Sequence, residues 1–278
     1  MKKLLTVLLT LSVAFTATLG FTACGSSDVI YVDTNAFFAP FEYYDGTEIK
    51  GVDVDIMNMV GEKLGKKVVI ENTDFGVIVD NVSSGVKYDC GAAGITITDS
   101  RKEKVNFSNA YFTTVQYVIV KSGVLSKDGT TTDNVDYVLW DSLKGKTIGV
   151  QMDTTGDIFL DGEINATVDN DYGYDGALYG SGATEKKYDS AQVAVAALQS
   201  STIDAVIVDK IPAEYLVSKN EGLECFALYY DATTATSEQY AICVTKGNDE
   251  LLNAINAVLE ELGADGINAL VSKHLGLE

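Results

Sequence analysis

Apolar positions along the chain alternate between short continuous runs and stretches with helical spacing. Val29–Val32 is a buried-strand pattern. From Asp53 to Leu64 the apolar residues Ile56, Met57, Val60 and Leu64 recur on one helical face. Asp53 and Asp55 suit the positive start of that helix, and Gly65 ends it. Val68–Ile70 predicts a second strand, Phe75–Ser84 a second helix stopped by Gly85, and Asp89–Ala92 a third strand. Strand, helix, strand, helix, strand is the order of a parallel sheet with helical crossovers, which collects ligands at the carboxyl ends of its strands.

The pattern then repeats. Val115–Val120 reads as a strand, and residues 123–134 are a polar loop or boundary. Thr147–Gln151 is a strand, Ser190–Gln199 a helix, Ile203–Val208 a strand, Ala213–Ser218 a helix and Leu223–Leu228 a strand. Residues 161–183, acidic and rich in glycine and tyrosine, are expected to form a surface excursion without regular structure, either covering a cleft or decorating a lobe. Glu238–Val244 echoes Val115–Val120: both carry Gln-Tyr before an apolar run, as two strands crossing between lobes would. Leu251, Ile255, Val258, Leu259 and Leu262 mark an amphipathic helix, and a last helix reaches about His274. That lone histidine is expected to be a solvated residue near a helix end, with no catalytic role.

At 278 residues the chain has room for two lobes. It is 46% hydrophobic with two prolines, which fits a folded body. The net charge of −20 argues against nucleic acid as a partner, because such a surface needs a basic footprint. Residues 1–23 have the form of a signal segment: Lys2 and Lys3, then an apolar stretch, then small residues. The order Leu19-Gly20-Phe21-Thr22-Ala23-Cys24 resembles a lipoprotein cleavage box, which makes Cys24 the lipid attachment site and residues 24–28 a tether. The alternative is an uncleaved anchor with an incidental cysteine. Cys90, Cys225 and Cys243 match no metal spacing; they read as buried thiols, with one disulfide as the alternative.

Two loops carry candidate chemistry. Gly94-Ile95-Thr96-Ile97-Thr98-Asp99-Ser100-Arg101 follows a strand and closes on an arginine, whose planar fork suits a carboxylate. It is either an anion site or a capped helix start with Arg101 in solvent. Residues 35–44 hold five aromatics, Phe37, Phe38, Phe41, Tyr43 and Tyr44, on what reads as a loop. They either line a pocket or pack beneath it.

Taken together these stretches resemble the bacterial extracellular solute-binding proteins of family 3, the amino-acid-binding components of ABC importers. The resemblance runs from about Val29 onward. It rests on Gly51-Val52-Asp53-Val54-Asp55-Ile56, Ala39-Pro40-Phe41-Glu42, Gly94 to Arg101, Asp153-Thr154-Thr155-Gly156 and Asp204–Asp209. It implies an α/β, two-lobed periplasmic-binding-protein-like (type II) fold with the ligand cleft between the lobes. Lobe 1 would take 29–115 and 245–278, lobe 2 would take 121–238, and hinge strands would lie at about 115–121 and 238–245.

It further implies that Arg101, helped by Thr96, the backbone at Gly94 and Thr155, holds an α-carboxylate. Asp209 would accept from the α-ammonium and Phe38 would stack on the side chain, with Phe75 adding an apolar wall. Asn35 stands where binders of cationic amino acids carry an acid. Gln151 either bonds a neutral polar side chain or faces solvent. The expectation is a non-enzymatic, monomeric protein, lipid-anchored outside the cytoplasm, with no cofactor or metal. It would deliver a neutral polar amino acid to permease subunits. The alternative is an enzyme resembling cyclohexadienyl dehydratases on the same fold.

Overall fold

The computed structural model describes residues 28–276; the expected signal segment, Cys24 and all but the last tether residue lie outside the described residues. Strand β1 (Val29–Thr34) opens the first lobe. The aromatic stretch after it is not an irregular loop. It folds into a small antiparallel sheet of β2 (Phe37–Phe38), β3 (Glu42–Asp45) and β4 (Glu48–Lys50). The Asp45-Gly46 turn closes the second hairpin, with Gly46 at φ 64°. Aromatic side chains favour such strands, so the loop reading undercounted them.

Helix α1 (Val52–Leu64) buries Val52, Ile56, Met57 and Val60 completely, each worth about 1.5–3 kcal/mol relative to exposure. It starts against the small sheet. Gly51 has φ 142°, and a Cβ there would sit 1.9 Å from the Phe41 carbonyl oxygen. Only glycine tolerates both the conformation and the approach. Strand β5 (Lys67–Asn72), helix α2 (Phe75–Ser84), β6 (Cys90–Gly91), the short helix α3 (Asp99–Lys102) and β7 (Asn106–Phe107) complete this half. The ten-residue β8 (Phe112–Lys121) leads out of it.

The second half adds β9 (Gly129–Thr130) and β10 (Asp136–Leu139), then a 3-10 turn at Trp140–Leu143. Strand β11 (Thr147–Gln151) leads into α4 (Thr155–Asn165), which is capped by the Thr154 hydroxyl. The excursion after it is helical through Asn165 and irregular only from residue 166 to 183. Even there it is pinned: the Leu178 N–H donates to the Glu163 carbonyl, and Ala166 and Leu178 are buried. Strand β12 (Thr184–Tyr188), α5 (Ala191–Gln199), β13 (Ala205–Asp209), α6 (Lys210–Lys219) and β14 (Leu223–Tyr229) follow. The chain returns through β15 (Ser237–Tyr240) and β16 (Cys243–Val244) to α7 (Asp249–Leu275). Non-helical Gly263 splits α7 into the two segments that the pattern predicts.

The first sheet runs β5-β1-β6-β16-β7, the second β12-β11-β13-β8-β14-β10-β9. Strands β5, β1 and β6 are parallel, as the crossovers require; β16 and β7 extend them in antiparallel fashion. Strand β8 serves both halves. Its first residues pair with β15, Phe112 opposite Tyr240 and Val115 opposite Ser237, while its later ones pair with β13 and β14. The two echoing strands therefore lie side by side, although their Gln-Tyr pairs are out of register.

Cys90 and Cys243 are buried free thiols and Cys225 a half-buried one. His274 is not solvated. Its ring packs between the Tyr43 hydroxyl at 3.1 Å and the Asp55 carboxylate at 2.9 Å, which ties the end of α7 to β3 and α1.

Candidate functional site

A narrow cavity lies where the carboxyl ends of β1, β6, β11 and β13 converge. Eight of the nine ligand residues expected from the sequence line it: Asn35, Phe38, Phe75, Gly94, Thr96, Gln151, Thr155 and Asp209. Glu42, Ala93 and Thr154 complete the wall.

Arg101 stands just behind that wall, only 9% exposed. The capped-helix reading of its loop holds in part. Thr98 caps α3, accepting the Arg101 N–H at 3.2 Å, but the side chain turns inward rather than into solvent. Nη1 donates to the Thr96 carbonyl at 2.9 Å, and Nη2 reaches across to the Asp153 carbonyl at 3.1 Å. The guanidinium lies 5.4 Å from the centre of the Phe75 ring. Burial lowers its pKa below the usual guanidinium range, yet a guanidinium keeps its charge at neutral pH. Gly94 departs from expectation. Its N–H is not free for a ligand carboxylate but donates to Asp53 Oδ2 at 2.9 Å. Asp53 is a buried carboxylate that also needs the Tyr111 hydroxyl, at 2.6 Å, and burial still holds its pKa up at about 6. Glycine is nonetheless required there: φ is 54°, and a Cβ would meet Phe38 Cε1 at 2.8 Å.

Opposite Arg101, Asp209 ends β13 and makes no cap bond to α6. Its oxygens accept instead from Gln116 Nε2, at 2.8 Å, and from the Tyr240 hydroxyl. Gln116 Nε2 also donates to Glu238 Oε1, and the Thr96 hydroxyl donates to Glu238 Oε2 at 2.7 Å. Burial, reinforced by the Glu238 charge, pushes Asp209 up to about 8; burial pushes Glu238 up as well.

Asn35 and Gln151 meet across the cavity, Gln151 Nε2 donating to Asn35 Oδ1 at 3.0 Å, so Gln151 does not face solvent. The Asn35 amide also donates to the Thr73 carbonyl at 2.8 Å. Phe38 packs 6.0 Å from Phe41 and 6.2 Å from Tyr240. Glu42 is fully buried beside Asp53, and the two carboxyl groups share a hydrogen bond. Burial, with the Asp53 charge next, raises its pKa well above 4.5.

The sequence reading passed over Gln116, Glu238 and Tyr240 as site residues. For Gln116 a signal was present, because an amide interrupts the apolar run of β8 and a buried polar group there needs partners; β15 is Ser-Glu-Gln-Tyr and offers no such contrast.

The profile of the bacterial extracellular solute-binding proteins, family 3, matches residues 30–276. The arginine-binding extracellular protein ArtP of Bacillus subtilis (strain 168) is 29% identical over 93% of this chain and 93% of its own. An ancestral arginine-binding protein solved bound to arginine is 32% identical, with a TM-score of 0.68 over 88% of this chain and 97% of that one. An ancestral arginine-binding protein solved bound to glutamine is 31% identical, with a TM-score of 0.70 over 90% and 99%. The architecture is accordingly the two-lobed type II periplasmic-binding fold. This chain belongs to the bacterial extracellular solute-binding proteins of family 3.

Proposed function

We propose that the chain is the extracytoplasmic substrate-binding component of an ABC importer and that its cavity takes one free α-amino acid. The observation that carries this reading is a buried guanidinium, Arg101, just behind the wall of a cavity that the buried Asp209 carboxyl lines, the two following strands of different sheets. A zwitterion leaving water needs both charges met, or its desolvation is not offset. Arg101 takes the α-carboxylate with the Thr96 and Thr155 hydroxyls, exchanging its bond to the Asp153 carbonyl for the ligand. Asp209 takes the α-ammonium. Because the two groups sit on separate lobes, ligand favours the closed arrangement over an open one, with bending in the crossing strands at about 115–121 and 238–245. Cys24 carries the lipid that holds the protein to the outer face of the cell membrane, from which a monomer delivers ligand to the permease. The site binds and releases its ligand unchanged, and no enzyme chemistry is assigned to it.

For the side chain we propose a neutral polar group, bonded by the facing amides of Asn35 and Gln151 and flanked by Phe38 and Phe75. One observation favours a cationic side chain instead: the pair of buried carboxyl groups, Glu42 on the cavity wall and Asp53 beside it. The relatives solved with glutamine and with arginine show that related sites hold either kind. Calorimetric titration of ligand-free protein with each of the twenty amino acids and cystine tests the proposal. A single site at micromolar affinity or tighter, with glutamine or asparagine strongest, is expected. Strongest binding of arginine or lysine transfers the side-chain assignment to Glu42, and no binding by any of them sinks the function.

A further inference from the structure

Asp209 lines the cavity, but Glu238 does not; it sits behind Asp209, reached through the Gln116 side chain. The Gln116 amide has two hydrogens on one nitrogen and gives one to each carboxyl group. Tyr240 donates to the other oxygen of Asp209, and Thr96 to the other oxygen of Glu238. Both acids are nearly sealed, at 6% and 4% exposed. The groups that face them come from four elements and one loop. Gln116 is on β8, Tyr240 on β15, Thr155 on α4, Arg101 on α3, and Thr96 lies just before α3. Arg101 is the one cation among these groups, and both of its hydrogen bonds go to carbonyl oxygens rather than to either acid. Two buried carboxylates joined through one neutral amide, with no cation bonded to them, do not both ionise.

We propose that Asp209 and Glu238 together hold one proton while the cavity is empty, and that the arriving α-ammonium takes that proton's place. Glu238 is then a positioning residue. It never touches ligand, but it keeps Asp209 protonated until a cation arrives. The exchange balances: the carboxylic acid O–H gives its proton to solvent, and the carboxylate left behind accepts a hydrogen bond from the ammonium. One proton leaves for each amino acid bound. Burial and the Glu238 charge both raise Asp209, which supports the same assignment. The sign of the pH dependence follows. Below the pair's pKa the ionised fraction falls about tenfold per pH unit, and apparent affinity falls with it. Affinity therefore strengthens from acid toward mildly alkaline pH and then levels. Such a site holds its ligand less firmly in an acidic medium. The inference rests on the amino-acid reading of the cavity, and its test separates the two.

The test is a carboxyl-carbon NMR titration of ligand-free protein labelled at Asp and Glu, from about pH 5 to about pH 9, far above the ordinary carboxyl range of about 4. The signal that vanishes in Asp209→Asn identifies Asp209. It is expected to titrate above about pH 7 in the wild type and about one to two units lower in Glu238→Gln, which removes the neighbouring charge. If Glu238→Gln does not fold, Gln116→Met, which removes the bridging donor, is expected to move the same signal upward. An Asp209 carbon already ionised at the acid end overturns the proposal, as does one indifferent to both variants. An equimolar mixture of the twenty amino acids is then added at neutral pH. Movement of the Asp209 signal to its ionised position, with about one proton released per bound molecule into weak buffer, is the expected result. If the signal titrates as expected but the mixture does not move it, the shared proton stands while both the exchange and the amino-acid reading fail.

Discussion

Replacing Arg101 by Met separates the ligand's use of the guanidinium from the fold's. The thioether stem keeps most of the packing against Phe75, so the change removes mainly charge and donors. In the empty protein the guanidinium makes two hydrogen bonds, to the carbonyls of Thr96 and Asp153. Losing them costs stability, but the buried charge no longer has to be desolvated. The two effects oppose, and the net change should stay within about 1–2 kcal/mol. In a domain of this size that is a melting shift of only several degrees, about 2–4 °C per kcal/mol. With ligand bound, two charge-assisted bonds to a carboxylate are worth about 1.5–3 kcal/mol each. Stripping one partner from a buried ion pair costs about 3–5 kcal/mol. At 1.4 kcal/mol per factor of ten, affinity should fall by roughly 10²- to 10⁴-fold. Calorimetry with the wild type's best amino acid measures the second quantity, and thermal denaturation without ligand measures the first. Affinity within about tenfold of wild type refutes the assignment of Arg101 to the carboxylate. So does a loss of affinity matched by global unfolding.

Two further outcomes follow from buried groups outside the clamp. Glu42 has a raised pKa, so the stability it contributes is complete below its unfolded value near 4.5 and is lost as pH rises toward its folded value. Glu42→Gln should therefore melt higher than wild type in mildly alkaline buffer, by about 2–4 °C if the gain is near 1 kcal/mol, with the gap closing in acid; parallel melting curves at all pH would contradict this. Gly51→Ala drives a Cβ to 1.9 Å from the Phe41 carbonyl at a φ of 142°, so the chain must move at the junction of β4 and α1. A loss of at least about 3 kcal/mol in denaturant titration is expected, and a cost below about 1 kcal/mol would show that the junction yields freely.

Much of this architecture is visible in residue patterning because local chemistry and tertiary context agree there. Helix α2 spans Phe75–Ser84 as the apolar spacing and Gly85 indicate, and Gly65 ends α1 in the left-handed conformation glycine favours. Ser190 caps α5, and Thr154 caps α4 through its hydroxyl. Patterning fails where tertiary pairing decides. Strand β12 is Thr-Glu-Lys-Lys-Tyr, largely polar, and is a strand because β11 supplies its ladder. Strands β2 to β4 are too short to announce themselves among loop residues.

In the site, residues on loops after strands were legible because a loop has few other reasons to carry an arginine or paired hydroxyls. Gln116 and Glu238 lie within the paired strands β8 and β15; the apolar run around Gln116 marks it as a buried amide, but its link to Glu238 and Asp209 comes from strands distant in sequence. Gly94 was legible as a glycine but not in its role: its N–H is committed to Asp53, which is distant in sequence.

The measurement that bears most directly on the account is a crystal structure of the protein with its tightest-binding amino acid. The account predicts the Arg101 guanidinium turned from the Asp153 carbonyl onto the α-carboxylate. It also predicts Asp209 within hydrogen-bond distance of the α-ammonium, and the side chain lying between Phe38 and the Asn35–Gln151 pair. An amino acid bound outside this cavity would contradict the central claim. So would one held inside it with Arg101 still on its two carbonyls and Asp209 touching no ammonium.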